Sequence, residues 1–138
     1  MKIKYFDDDV DKIESFGDWI DLRSRKTIEY EEGDHKMIPL NVAIELPEGY
    51  EAHLVPRSST FKNWGLIQTN SIGIIDNDFS GDDDEWHLPV LATRDGKVEK
   101  NDRVAQFRIM RVQPNFQIEE VESLDNENRG GFGSTGKK

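Results

Sequence analysis

Short runs of β-branched and aromatic residues, each soon cut off by Gly, Pro, Asn or Asp, follow one another along almost the whole chain. Helical spacing of apolar residues is nowhere sustained, so the pattern is that of many short strands. The expected strands are Ile3–Phe6, Trp19–Arg23, Thr27–Tyr30, Lys36–Leu46, Tyr50–Val55, Leu66–Thr69, Gly73–Ile75, Glu85–Ala92, Arg103–Val112 and Phe116–Glu120. In Arg103–Val112 neither alternating set of side chains is cleanly polar, which points to protein contact on both faces. Turn residues stand where strands must reverse, at Pro47-Glu48-Gly49, Asp95-Gly96 and Lys100-Asn101-Asp102. One short helix is expected around Ser59–Trp64, with a serine at its N-terminus. The fold class is therefore all-β: a sandwich, jelly roll or barrel.

A length of 138 residues suits one core and is short for two. We place a β domain at residues 1–124 and an arm at 125–138, where Gly, Asn and charged residues surround Phe132 as the one apolar side chain. Such an arm cannot build a core and is expected to be mobile when unliganded. The net charge of -10, from 28 acidic and 18 basic residues, opposes binding to polymeric DNA or RNA, which depends on Lys and Arg displacing counterions. A small polyphosphate is not excluded, because a few local Arg and N–H groups decide its binding. There is no cysteine, so disulfides and Cys-ligated metals are out. No apolar run approaches the roughly 20 residues of a membrane span. The reading is a cytoplasmic protein without membrane partners.

Two motif matches fail on context. Gly131 to Lys137 fits the start of a phosphate-binding P-loop, but Lys138 stands where Ser or Thr is needed and no apolar strand leads in. Asp76, Asp78, Ser80 and Gly81 copy the first half of a calcium loop, yet His87 occupies the position of its bidentate Glu.

Other segments carry chemistry. Pro56-Arg57-Ser58-Ser59 follows a strand and precedes the helical turn, so a guanidinium, two hydroxyls and free N–H groups would form a cradle for an anion. Taken alone, it is also an ordinary N-cap beside a surface Arg. Asn70 to Asp76 reads as a strand hairpin in which Gly73 admits close approach of a flat ligand and Asp76 ends an apolar run. Asp76 is either a turn residue or a general base able to take a proton from an attacking water. Phe79 is either core or a platform under a sugar. Asp82-Asp83-Asp84-Glu85 is expected to be a solvated acidic loop, since successive side chains on an extended segment alternate in direction. Arg103 is expected to pair with a carboxylate, and Gln106 is the better ligand candidate. The arm, with Arg129, Phe132, Gly133, Ser134 and Thr135, has the donors and the aromatic ring a closing lid needs; a plain disordered terminus is the alternative.

In order and spacing these segments resemble the five motifs of the trimeric dUTP diphosphatase family. Trp19-Ile20-Asp21-Leu22-Arg23 looks like the first, Pro56–Ser59 the second, Asn70–Gly81 the third, Asp102–Gln106 the fourth and Arg129–Gly136 the fifth. The stretch from Val55 through Thr60 and from Trp64 to Ser71 is similar to the branch found in Gram-positive bacteria and their phages. The resemblance implies a jelly-roll subunit, a homotrimer with sites between subunits, and an arm closing over a neighbour's site. It implies hydrolysis of dUTP to dUMP and pyrophosphate, which limits uracil in DNA and supplies dUMP for dTMP synthesis. By the same resemblance Asp76 activates the water that attacks the α-phosphate. Asn70, Gly73 and Ile74 read uracil, and Phe79 lies against deoxyribose. Arg57, Ser58, Ser59, Gln106, Arg129, Gly133, Ser134 and Thr135 hold phosphates, while Phe132 stacks on the base. Mg²⁺ is held mainly by phosphates and waters, with Asp21 as an outer-shell partner.

The chain departs from the family pattern in places. Phe79 stands where Tyr is usual, the usual cation before Gly81 is missing, and Asn101 replaces the common Gly before Asp102, a change Asn tolerates at positive φ. Two alternatives stand beside the resemblance. Deamination of dCTP needs a glutamate near the pyrimidine, and Asn70–Asp76 supplies none. A phage-type regulatory module would dock a protein partner, for which the acidic loop at 82–85 offers a surface.

Overall fold

The computed structural model describes residues 1–14 and 16–133. Eleven strands and one helix follow in the order β1 (Lys2–Tyr5), β2 (Ile20–Arg23), β3 (Ile28–Tyr30), β4 (His35–Pro39), β5 (Val42–Glu45), β6 (Tyr50–Pro56), α1 (Thr60–Trp64), β7 (Leu66–Gln68), β8 (Gly73–Ile75), β9 (His87–Ala92), β10 (Gly96–Val98) and β11 (Arg103–Arg111). The strands form a four-stranded sheet β2-β11-β6-β8, a three-stranded sheet β4-β9-β7 and the pairs β1-β5 and β10-β3. Every pairing is antiparallel. The result is the jelly-roll-like all-β subunit the strand pattern leads to. No described helix is long and apolar enough to cross a membrane.

Alternation decides what each strand buries. On β6 Ala52 and Leu54 point inward, and on β11 Ala105 and Phe107 do. They meet Leu88 and Val90 of β9, and Trp86 packs edge-on against Phe107 with ring centroids 5.0 Å apart. Full burial of Phe107 contributes roughly 1.5–3 kcal/mol. Toward its end β11 is covered on one face, with Arg108 and Met110 exposed on the other, while near its start the successive residues Val104 and Ala105 are both buried.

Several expectations give way. Lys36–Leu46 is two strands, because Asn41 takes a left-handed φ of 69° and breaks the run. Its side chain then works as a clamp: Oδ1 accepts from the N–H groups of Phe6 and Asp7, and Nδ2 donates to the Asp7 carbonyl. β7 and β8 are not a hairpin. β7 pairs with β9 and β8 with β6, so residues 69–72 turn a corner between two sheets. β10, too short to carry a pattern, pairs with β3 where only a turn was expected. Phe116–Glu120 is not a strand. β11 already has a neighbour on each edge, and Phe116, Ile118, Val121 and Leu124 stand exposed, Ile118 at 97%.

The loop at 82–85 is not uniformly solvated. Glu85 is buried and accepts two hydrogen bonds from the Arg25 guanidinium, at 2.7 and 2.9 Å, and one from the Asn41 N–H. That bond to Glu85 raises the pKa of Arg25 above its ordinary value. Asp84 closes its own turn by accepting from the Gly81 N–H. Asn101 does adopt positive φ, at 80°, as its place in a Gly position requires.

Candidate functional site

At one end of the four-stranded sheet, Gln106 of β11 sits between Asp21 of β2 and Val55 of β6. A β-bulge at the start of β11, where the register shifts between Arg103 and Ala105, re-aims the local carbonyls. The Val104 carbonyl accepts from the Thr60 hydroxyl at 3.0 Å, and the Arg103 carbonyl accepts from Arg57 Nη1 at 3.4 Å. Thr60 Oγ1 also accepts from the Arg57 N–H at 2.9 Å, so one buried hydroxyl fixes the turn from Pro56 into α1. The helix begins at that turn without a side-chain cap from Ser59, contrary to the N-cap role expected for a serine.

Arg57 Nε donates to Asp21 Oδ1 at 3.0 Å, and Arg103 lies 3.6 Å from the other oxygen of the same carboxylate. Gln106 Nε2 donates to the Pro56 carbonyl at 3.1 Å. Asp21, Arg57 and Gln106 are thus brought together, half-buried, with Ser58 and Ser59 at the entrance to α1. Arg103 pairs with a carboxylate, as expected. The ensemble is a cradle of cations and hydroxyls balanced by one carboxylate, suited to a polyphosphate. Next to it a cleft of about 130 Å³ runs between Trp19, Tyr5, Ile13 and Arg103.

Asn70 through Phe79 forms the second group. Ser71 takes φ 60° at the tip of the corner, with the Ile72 N–H donating to the Asn70 carbonyl. β8 is an edge strand, so alternate N–H and C=O groups face away from β6. Gly73 lets β8 lie close to β6: a Cβ in its place would stand 3.2 Å from the Leu54 Cβ, which would have to give by a few tenths of an ångström. Asp76 follows the last residue of β8, and its carbonyl accepts from the Phe79 N–H in a tight turn. Asn77 ties that turn down by donating to the carbonyls of Pro47 and Tyr50. Asp76, Ile74 and Phe79 are exposed; Phe79 is a surface ring and not core.

One chain does not unite these two groups. Gln106 and Asp21 lie at the level of Val55, while Asp76 follows Ile75, which faces Ala52, and β2 and β8 are the two outer strands of the sheet. At about 3.3 Å per residue and about 4.8 Å per strand, they are on the order of 20 Å apart. Arg129, Phe132 and Gly133 are exposed beyond the last strand, and Ser134 and Thr135 lie outside the described residues.

Among the described residues no three His, Asp or Glu side chains group as a metal-binding set. A single carboxylate, Asp21, stands beside the arginines of the cradle. That donor set fits Mg²⁺ bound chiefly by a ligand's phosphates and by water, with the protein contact through a water, since Mg²⁺ gives up its hydration reluctantly.

Sequence reasoning did not single out Thr60 or Gln68. Thr60 is one residue past the motif it fixes, and a Thr following two serines gives no signal of its own. Gln68 sits on β7, buried at 7% exposure, with Nε2 donating to the Leu54 carbonyl and to Asn70 Oδ1. The signal that could have found it is a Gln between Ile67 and Thr69, at a position where strand alternation points inward.

Residues 19–136 match the family model described as dUTPase. The SPbeta prophage-derived deoxyuridine 5'-triphosphate nucleotidohydrolase YosS of Bacillus subtilis is 53% identical over 140 residues, spanning 100% of this chain and 99% of its own. The deoxyuridine 5'-triphosphate nucleotidohydrolase of a Hydrogenobaculum species is 40% identical over 104 residues, spanning 74% and 71%. Among solved structures, a dUTPase mutant of Staphylococcus bacteriophage 80alpha with dUpNHpp superposes with a TM-score of 0.74 at 22% identity, covering 98% of this chain and 97% of that one. A dUTPase mutant from phage phi11 of S. aureus, described with a structural Mg(II) ion, gives 0.75 at 17% identity, covering 91% and 98%. At those identities the superpositions speak for the fold.

Proposed function

The chain belongs to the dUTPase family and is a dUTP diphosphatase, and we propose that it hydrolyses dUTP with Asp76 as the general base at sites completed between the subunits of a homotrimer. The reading rests on one observation above the others: the anion cradle and the Asp76 segment are both complete in one chain, yet sit at opposite edges of its sheet.

Arg57, Ser58, Ser59 and Gln106 hold the triphosphate. Arg57 is already fixed by Asp21, and the substrate's phosphates offer it further acceptors, since a guanidinium has donors to spare. Asn70, Gly73 and Ile74 of a neighbouring copy read the uracil edge, and Phe79 lies against the deoxyribose. The Asp76 carboxylate accepts a proton from a water as its oxygen bonds to the α-phosphorus. The bond from that phosphorus to the β-phosphate bridging oxygen breaks, and pyrophosphate leaves with the electron pair. Asp21 would hold a Mg²⁺ brought by the triphosphate, through a water, and the ion would supply neutralisation of phosphate charge.

The arm at 125–138 brings Arg129, Gly133, Ser134 and Thr135 to the phosphates and Phe132 to the uracil of a neighbour's site. Exposed Phe116, Ile118, Val121 and Leu124 lead into it, and exposed apolar side chains in such number are what contact with another copy would cover. A deaminase reading finds no glutamate within Asn70–Phe79. A regulatory docking role for the loop at 82–85 loses Glu85 and Asp84, whose carboxylates are engaged within the chain.

Pyrophosphate release from dUTP, dCTP, dTTP and UTP with Mg²⁺, measured for wild type and Asp76→Asn, tests the reading. Release from dUTP that falls about 10²–10⁴-fold in the variant, with binding retained, is the expected result. Equal rates for the two proteins would remove Asp76 from the mechanism.

A further inference from the structure

We propose that Gln68, outside the reacting groups, sets the pyrimidine specificity of this enzyme by fixing which end of the Asn70 amide faces the base. The inference rests on the reading that Asn70 contacts the pyrimidine, and adds to it the residue that determines what Asn70 offers.

The orientation follows from a chain of hydrogen bonds that starts at an atom whose role is unambiguous. The Leu54 carbonyl can only accept. It lies 3.0 Å from the near end of the Gln68 side chain, so that end is the NH₂ and not the oxygen. The same Nε2 lies 2.8 Å from the Asn70 side chain, and a nitrogen that donates there demands an oxygen opposite it. Oδ1 of Asn70 is thereby turned inward, and Nδ2, a pure donor, is the end left for a ligand. Nδ2 can donate to the O4 carbonyl of uracil and opposes the amino group, itself a donor, that cytosine carries at the same position.

Two further features separate this from generic packing. Gln68 is buried, and its Oε1 has no hydrogen-bond partner among the described residues. An apolar side chain would serve the fold at that position better, since an unsatisfied buried oxygen is unfavourable. The amide is therefore explained by what its nitrogen does. Gln68 also lies at the corner where the chain leaves one sheet for the other. Its Nε2 is 3.5 Å from the place a Cβ on Gly73 would occupy, so it braces both ends of the segment that meets the base.

The test compares the Ki of dCTP with the KM of dUTP in wild type, Gln68→Leu, Gln68→Glu and Asn70→Ala, with thermal melting to confirm folding. Gln68→Leu frees the Asn70 amide to rotate, and the Ki/KM ratio is expected to fall about ten- to hundredfold. Gln68→Glu, which has no donor, draws Nδ2 inward and turns Oδ1 outward, so its ratio falls further. Looser packing alone would weaken both nucleotides together and leave the ratio where it was. Should Asn70→Ala lower the ratio while Gln68→Leu leaves it within about threefold of wild type, Gln68 is not the determinant. Should Asn70→Ala itself leave the ratio unchanged, Asn70 does not read the base, and this inference falls with that reading.

Discussion

The cradle around Arg57 and the segment from Asn70 to Phe79 are built on opposite plans. In the cradle the guanidinium, the buried hydroxyl and the amide already have partners: Arg57 with Asp21, the Arg103 carbonyl and the Thr60 hydroxyl, Thr60 with Val104, Gln106 with Pro56. The segment is tied down by Asn77, by the bond from Gln68 to the Asn70 side chain and by the Phe79 N–H, while Asp76, Ile74 and Phe79 are left exposed. A cradle for a highly charged ligand has to hold its cations in place before the ligand arrives, and a carboxylate does so. A general base and a base-reading edge have to be free to take a proton or a hydrogen bond. Substitutions in the cradle should therefore disturb stability and binding together, and those in the segment should disturb turnover or selectivity with the fold intact.

The largest effect separates the two most clearly. Asp76→Asn should lower kcat by about 10²–10⁴-fold, while its urea midpoint stays near wild type because the carboxylate makes no contact the fold needs; a large loss of stability would break the contrast. Glu85→Ala, under neither region, should show what a structural carboxylate does. It leaves Arg25 without its partner and the Asn41 N–H unpaired, which should cost about 3 kcal/mol in urea unfolding. Its KM for dUTP should remain close to wild type in the folded fraction. Arg57→Ala comes next, with a raised KM and a loss of about 1 kcal/mol of stability, since Asp21 keeps only the longer contact with Arg103. Its signature is the two losses appearing together.

A smaller effect concerns pH. Tyr30 is buried beneath the end of α1 and donates to the Trp64 carbonyl at 2.8 Å; burial pushes its phenol above the ordinary value of 10.0. Above that pH the unfolded chain releases the proton and the folded one keeps it, so the unfolded state binds fewer protons and stability falls as pH rises. Urea midpoints between pH 9 and 11 should decline in wild type and less steeply in Tyr30→Phe. Smallest of all, Phe79→Tyr should change stability in urea unfolding by about 0.5 kcal/mol or less, because the added hydroxyl stands on an exposed ring.

The difference between the regions also explains what could be seen in the sequence. Strands show themselves because alternation is local: Ala52 and Leu54 against Glu51 and His53 is enough to place β6. The cradle and the Asp76 segment are legible as spaced motifs because their side chains meet a ligand. What stays hidden depends on residues distant in the chain. Asn41 looks like a strand residue until its amide is found clasping Phe6 and Asp7. Glu85 looks like the end of an acidic loop until Arg25, sixty positions away, is found beside it. The corner at 69–72 reads as a hairpin because nothing local tells that its two strands join different sheets. The strand expected at Phe116–Glu120 has the right alternation, but the strand it follows, β11, is already paired on both edges with β2 and β6.

The central claim, that cradle and base come from different subunits, is tested by mixing. Arg57→Ala chains, impaired through KM, and Asp76→Asn chains, impaired through kcat, are co-expressed at equal levels with different tags, and trimers carrying both are isolated and assayed at dUTP well below the KM of Arg57→Ala. If the halves of a site come from neighbouring copies, each mixed trimer has one site in three with an intact cradle and an intact base, and dUTP hydrolysis returns to about one third of wild type. Activity no greater than that of the two parent variants would place both halves in one chain and contradict the account.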